Sequence, residues 1–438
     1  MANDQKPAGK DAKYEHWRWR IFSVTWLAYA GLYLTRKSFA AAKVALGPGT
    51  AIGLSNQQMA GIDTGYSIAY AAGQFVFGAA GDRLGPRRVV LAGMLGSVLA
   101  AFAMGGSSTM MTLILFSCVQ GLCQATGWAP LAGNLRNFFS QRERGTVMGF
   151  WCTSYAVGGW FATIYAGWVG QQFGWRYAFW VPAATLLGVW VLFLWLQRDR
   201  PEDAGLPSIE QYHGEAPAKI NESTPAAPAP AQPSGVTWVM LKSPMVMILC
   251  VVYFCLKPAR YLFLFWGPRY IHDTLGSGMA GSALISSTFE LGGPLGALLA
   301  GIVSDRVFGS RRAPVAVIAL LSTSGILFFF DRLPRTTWAI GSVLFLLGVL
   351  VYAADSLISG TAAIDFGSKH GAATAAGLVN GSGSIGQIIG PAIPGLVPAT
   401  WGWGGVFGIV GGMVLIAGLV LVPKWNALPA PTTSNQSS

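Results

Sequence analysis

Twelve apolar stretches, crossed by only a few scattered charges, leave this chain almost no way to fold in water. They run near 20–46, 58–81, 88–107, 110–136, 146–171 and 176–197, then near 244–270, 280–304, 313–330, 337–364, 371–398 and 402–423. Each is close to the ~20 residues that a helix needs to cross the hydrocarbon core. Lipid offers the backbone no hydrogen bonds, so segments of this kind satisfy their own amides as α-helices. Only 11% of the 438 residues are charged, against about 25% in an ordinary soluble domain. Disorder, a disulfide scaffold and a soluble enzyme are thereby excluded. The expected fold is all-α and integral to the membrane, with twelve transmembrane helices in two six-helix, pseudo-symmetric halves.

The net charge of +11 invites a nucleic-acid reading, but the positions of the cations decide against it. Of the 29 Lys and Arg, 20 fall in segments that would share one side of the bilayer, four lie in the opposite loops, and five sit inside or at the ends of apolar stretches. A split of this kind is the positive-inside pattern. It predicts an inner-membrane, multi-pass protein with both termini cytoplasmic and no nucleic-acid partner. The first twenty residues are polar and run straight into a full-length apolar stretch, so no cleavable signal is expected. The five cysteines (Cys118, Cys123, Cys152, Cys250, Cys255) have no metal-ligand spacing, and neither metal nor cofactor is expected.

The chain divides as a tail at 1–19, a first half at 20–197, a Pro/Ala-rich linker at 198–242, a second half at 243–424 and a tail at 425–438. The linker is too polar to bury a core. Ser243-Pro244 supplies an N-cap and a first-turn proline for the seventh helix. The halves repeat each other: Gly78-Ala79-Ala80-Gly81-Asp82-Arg83 with Gly85, Arg87 and Arg88 recurs as Gly301-Ile302-Val303-Ser304-Asp305-Arg306 with Gly309, Arg311 and Arg312. Gly174-Trp175 recurs as Gly402-Trp403. A duplicated six-helix unit implies alternating access by rocking of the halves. The repeated loop reads as a pair of cytoplasmic gating latches (Asp82, Arg83, Arg87; Asp305, Arg306), in which the aspartate accepts hydrogen bonds and the arginines stay in interfacial water.

Ionisable residues inside a membrane are costly and mark function by default. Arg36 and Arg260 are 224 positions apart, the offset of the repeat, so each half contributes one arginine at the same depth. Guanidinium forks suit a tetrahedral oxyanion, and a phosphate ester carries about −1.5 to −2 charges that two of them would neutralise. Sulfate or a dicarboxylate remains an alternative. Lys257, one turn before Arg260, shares its face, whereas Lys37 points about 100° away from Arg36. Lys43, near a helix end, is expected to snorkel, and Asp63 and Asp365 to be solvated. Glu290 and Asp355 lie within spans. The favoured role for Glu290 is a counter-ion that releases Arg260 when substrate arrives, the alternative being a structural pair or a proton site, and Asp355 is equally placed to pair with Lys257. Tyr33, Gln74, Gln120, Gln124, Trp128, Tyr155, Asn380 and Gln387 complete the candidate lining.

The segment Tyr29-Ala30-Gly31-Leu32-Tyr33-Leu34-Thr35-Arg36-Lys37-Ser38-Phe39 resembles the helix-1 signature of the organophosphate:phosphate antiporters of the major facilitator superfamily. The repeated Asp-Arg-x-Gly-x-Arg-Arg loop is similar to that superfamily's motif. Gly127-Trp128-Ala129-Pro130, Gln141-Arg142-Glu143-Arg144-Gly145 and Arg260-Tyr261 followed by Trp266-Gly267-Pro268 resemble further patterns of the antiporters. The resemblance implies that Arg36 and Arg260 bind phosphate, that Glu290 and Trp128 occupy site positions, and that inorganic phosphate is exchanged for an organophosphate. Where the glycerol-3-phosphate member has a lysine, a histidine and an acid, this chain has Gln74, Tyr155 and Phe265. One branch of the family senses hexose phosphate without carrying it, so a sensor stays open beside the antiporter, as does a proton-coupled carrier of another organic anion. No phosphate-binding loop for ATP and no nucleophile–base pair stands out, so an enzyme is not expected. A single two-half chain suffices for transport, and a monomer is expected.

Overall fold

The computed structural model describes residues 12–50, 52–140, 143–212, 242–309, 311–362 and 372–427. Among these residues the regular structure is entirely helical. Ala12–Arg36 (α1) and Ser38–Leu46 (α2) come first, followed by Asn56–Leu84 (α3), Pro86–Gly106 (α4), Met110–Gln124 (α5), Trp128–Phe138 (α6) and Arg144–Trp151 (α7). Thr153–Phe173 (α8), Tyr177–Leu196 (α9) and the short Ile209–Tyr212 (α10) follow. After the linker come Pro244–Leu275 (α11), Met279–Arg306 (α12), Arg312–Phe329 (α13), Thr337–Ser356 (α14), Ala372–Leu396 (α15) and Gly402–Leu421 (α16). Eight spans among the described residues are long and apolar enough to cross a membrane by those criteria alone. With α1, α3, α8 and α15, of 25, 29, 21 and 25 residues, they make the expected twelve.

The helix ends follow from local chemistry. Pro86 and Pro244 open their helices at the first turn, where an N–H is not needed. Thr109 and Thr336 cap α5 and α14 by accepting the backbone N–H of Thr112 and Ala339. Ser243 takes the N-cap position of α11 with no side-chain bond, contrary to the expected cap. The repeated glycines have a backbone reason: Gly85 and Gly309, and likewise Gly174 and Gly402, all have positive φ, which a residue with a Cβ adopts only at a cost.

Two compact units result, Met1–Ala42 with Gly65–Pro228, and Lys43–Thr64 with Ala229–Ser438. They follow the sequence halves except at Lys43–Thr64, the far end of the first span and the start of the second, which cluster with the second unit. The duplication is visible in packing. In the first unit α1 packs on α8 and α9, and α4 on α9; in the second, α11 packs on α15 and α16, and α13 on α16. Small residues permit the closest approaches. A Cβ on Gly292, Gly296 or Gly348 would collide with the opposite backbone where α12 meets α14. Gly386 and Gly390 of α15 likewise abut the carbonyls of Phe254 and Pro258, at the level of Lys257 on α11.

The segment read as linker begins as packed structure. Leu206 and Ile209 bury against Tyr14 at the start of α1, and Tyr212 stacks on Tyr14 at 3.9 Å. The Pro/Ala run lies outside the described residues, as does Asp365.

Candidate substrate-binding residues in the two units

In the first unit the ladder of α1 is carried past the turn at Lys37 by Lys37 N–H to Tyr33 O and Ala41 N–H to Lys37 O. Arg36 is only 7% exposed. Its Nε donates to Gln124 Oε1 at 2.6 Å, and its guanidinium lies over the rings of Tyr33 and Tyr70 at 4.5 and 4.9 Å. Gln124 is held in turn: its Nε2 donates to Leu32 O and Thr35 Oγ1, and its Oε1 also accepts from Tyr66 at 2.9 Å. Gln120, one turn earlier on α5, donates to Thr35 O at 3.1 Å. Arg36 Nη2 is buried with no hydrogen-bond partner, and no ion pair to Arg36 occurs among the described residues. A positioned guanidinium with an open donor is a receptor for an oxyanion.

An aromatic cluster adjoins it. Tyr33 meets Tyr29 edge-on at 5.9 Å, and Tyr29, Trp128 and Trp151 lie 5.2–5.4 Å from one another. Tyr155 lies 6.4 Å from Trp128. Trp151 is fully buried, whereas Trp128 and Tyr155 are half-buried. Gln74 is half-buried one turn beyond Tyr70, and nothing bonds to it among the described residues.

In the second unit Asp355, at the end of α14, holds two cations of α11. Arg260 Nη1 donates to Oδ2 at 3.0 Å, and the Lys257 ammonium makes a charge contact with Oδ1 at 3.1 Å. Arg260 lies over Tyr352 at 4.4 Å and Lys257 over Tyr253 at 4.6 Å. Asp355 thus pairs with Arg260 as well as with Lys257, a broader role than the sequence suggested. Glu290 is 3% exposed on α12. Gln387 is buried, and Asn380 is exposed with its amide bonded to Ala376 O.

Two sequence expectations are overturned. Lys43 does not snorkel and Asp63 is not solvated: at 0% and 1% exposure they form a buried ion pair. Two isolated charges at helix ends would seek water. A short reach between α2 and α3 lets each neutralise the other instead.

At the gating loops, Arg83, Arg88, Asp305 and Arg306 are exposed, and the Asp82 side chain lies outside the described residues. Asp305 accepts from Arg312 Nη1 at 2.6 Å. Arg87 departs from expectation. It is half-buried, its N–H donates to Asp199 Oδ1 at 2.8 Å and its guanidinium to Leu194 O, so it ties α4 to the end of α9 rather than resting in water. Sequence reading also missed Arg18, which donates to Phe138 O at 3.2 Å and bridges Glu15 and Glu143. Burial works against ionisation of Glu143, but the Arg18 hydrogen bond, the Ser140 N–H and the Arg18 charge outweigh it and hold the carboxyl below the ordinary range. The clue was the loop Gln141-Arg142-Glu143-Arg144, where one acid stands among cations.

The Major Facilitator Superfamily profile matches residues 25–387 and, overlapping, 282–438. The chain belongs to the major facilitator superfamily. It is a multi-pass membrane transporter of that superfamily and not an enzyme. A probable hexose phosphate transport protein of Chlamydia muridarum is 31% identical over 95% of this chain and 92% of that protein. The membrane sensor protein UhpC of Escherichia coli is 29% identical and the glycerol-3-phosphate transporter of Bacillus subtilis 28%, each over 95% of this chain and 94% of its own length. Among solved structures, an inward-facing, unoccupied bacterial homologue of the human lysosomal transporter Spinster matches with a TM-score of 0.68 at 14% identity, over 95% of this chain and 96% of that one. At that identity the likeness establishes the fold alone.

Proposed function

We propose that this protein is a secondary active transporter that exchanges an organophosphate for inorganic phosphate by alternating access, with Arg36 and Arg260 binding the phosphate group. The observation that carries the proposal is Arg36, a buried guanidinium aimed by Gln124 with one donor left open. A membrane-embedded cation with no ion-pair partner calls for an anionic ligand. The relatives named for hexose phosphate and glycerol 3-phosphate transport support a phosphorylated one.

Asp355 has a distinct part in the cycle. It pairs with Arg260 and Lys257 while no substrate is bound, cancelling one of their two charges, and an incoming phosphate competes for the same donors. Glu290 acts as a second counter-ion on the neighbouring helix. Tyr33, Trp128, Tyr155 and Gln74 line the route of the organic part. Asp82, Arg83, Arg87, Asp305 and Arg306 serve the cytoplasmic latches. Both termini are cytoplasmic, by the distribution of Lys and Arg, the protein resides in the inner membrane, and it works as a monomer.

Labelled phosphate uptake into phosphate-loaded liposomes, competed with a panel of organophosphates, tests the reading. Exchange abolished by Arg36→Ala and by Arg260→Ala is the expected result. The 29% identity to UhpC favours one second reading, a sensor. Binding of one sugar phosphate with no exchange would transfer the assignment to it.

A further inference from the structure

In the first unit two guanidinium groups gather at one indole with no acid to answer them. Trp17 of α1 packs against the cluster of Tyr14, Leu206 and Ile209, which fixes its ring. The Arg20 guanidinium lies over that ring at 4.3 Å, and the Arg198 guanidinium over the same ring at 5.9 Å. All three residues are half-buried. Arg20 makes no hydrogen bond or ion pair among the described residues, and its Nε is buried without a partner. Arg198 donates only from Nη1, to Trp195 O at 3.2 Å and Gln197 O at 2.7 Å, which closes the end of α9. Its other nitrogens bond to nothing among the described residues. The neighbouring acids are committed elsewhere. Glu15 takes Arg18 and the Tyr212 hydroxyl, Glu143 takes Arg18, and Asp199 Oδ1 accepts from Arg87 N–H and Gln197 Nε2.

Depth gives the missing anion a source. The span of α9 ends at Leu196, just before Arg198, and Arg20 opens the first apolar stretch. Both cations therefore stand where hydrocarbon gives way to headgroups. On the same two helices Trp19 is 59% exposed, Trp195 67% and Leu192 43%, and tryptophan at this level is the usual interfacial anchor. We propose that Trp17, Arg20 and Arg198 form a headgroup site for an anionic phospholipid, whose phosphodiester binds the two guanidinium groups while its acyl chains lie along α1 and α9. Guanidinium forks match phosphate oxygens, and basic pockets between helix ends suit such headgroups. A zwitterionic lipid carries the same phosphodiester, but its own cation would meet two others. Inorganic phosphate has the charge without the chains, and so forgoes contact with Trp19, Trp195 and Leu192.

The test is native mass spectrometry of the full-length protein in detergent, titrated with dioleoyl phosphatidylglycerol or dioleoyl phosphatidylcholine. The first phosphatidylglycerol should bind at least about tenfold more tightly than the first phosphatidylcholine. Arg20→Gln and Arg198→Gln should each weaken phosphatidylglycerol about fivefold, and the double variant should lose the preference. Arg20→Lys keeps the charge and should lose less than Arg20→Gln. Arg20 has no hydrogen bond or ion pair to give up, so Arg20→Gln should melt in lipid-free detergent at the native temperature. Lys242→Gln, an exposed cation before α11, should bind lipid as the native protein does. Equal affinity for the two lipids, a preference that survives the double variant, or an equal loss in Lys242→Gln overturns the proposal. So does displacement of phosphatidylglycerol by millimolar inorganic phosphate, which would make this a site for a free anion. No transport is measured, so the outcome is independent of the exchange reading above.

Discussion

Arg36 and Arg260 are equivalent in sequence but not in surroundings. Arg36 is held by a neutral amide, whereas Arg260 is held by a carboxylate shared with Lys257. Replacing Arg36 with Lys keeps the charge but loses the planar fork and the Nε bond to Gln124. Exchange should fall by about 100-fold in Arg36→Lys, read as initial rates in loaded liposomes. Gln124→Leu leaves the guanidinium in place but unaimed, and also removes the Tyr66 hydroxyl's bond to Gln124. It should raise the apparent KM for phosphate by about tenfold while the protein still folds, as thermal unfolding will show. Asp355→Asn acts in the opposite sense. Freed of competition, Lys257 and Arg260 should bind phosphate about tenfold more tightly by equilibrium binding, with slower turnover because release becomes unfavourable. Of this residue-scale picture, the two arginines were legible from their shared offset in the repeat. Gln124 looked like one polar residue among several, because its four bonds run to two other helices, three to α1 and one to α3.

At the scale of elements, the sequence marked twelve stretches but not their interruptions. The fourth stretch breaks at Ala125–Gly127 into α5 and α6, and the first turns at Lys37, both beside the arginine site. Nothing in the hydropathy distinguishes these positions, since a break costs little where side chains and neighbouring helices take up the freed backbone groups. The contact of α12 on α14 depends on glycine. Gly348→Leu would force the Phe289 backbone away and should lower stability by more than about 2 kcal/mol, measured by thermal unfolding in detergent. The Arg18–Glu143 bridge joins α1 to the start of α7. The folded carboxyl is depressed below its unfolded value, so the bridge contributes above the ordinary glutamate range and loses its contribution as pH falls through the depressed value. Glu143→Gln should therefore unfold at a lower temperature than the native protein near neutrality, and the difference should close only under strongly acidic conditions.

For the whole molecule, the duplication shows in both the chain and the packing, the contacts of α1 with α8 and α9 being matched by those of α11 with α15 and α16. Reporter fusions that fluoresce only in the cytoplasm should be bright at both termini. A dark terminus would mean that the charge count misassigns the sides. The amino-acid sequence by itself determined the membrane class, the helix count, the internal repeat and the equivalent positions of the two arginines within it. Hydropathy, spacing and charge are additive along a chain, and they can be read without knowing what touches what. Beyond the Lys257–Asp355 contact, tertiary structure alone decided which charges are partners: Asp355 also with Arg260, Asp63 with Lys43, Glu143 with Arg18. An ion's cost in a membrane depends on whether an opposite charge lies within a few ångströms, and pairs such as Arg18 and Glu143, more than a hundred positions apart, meet only when the helices pack.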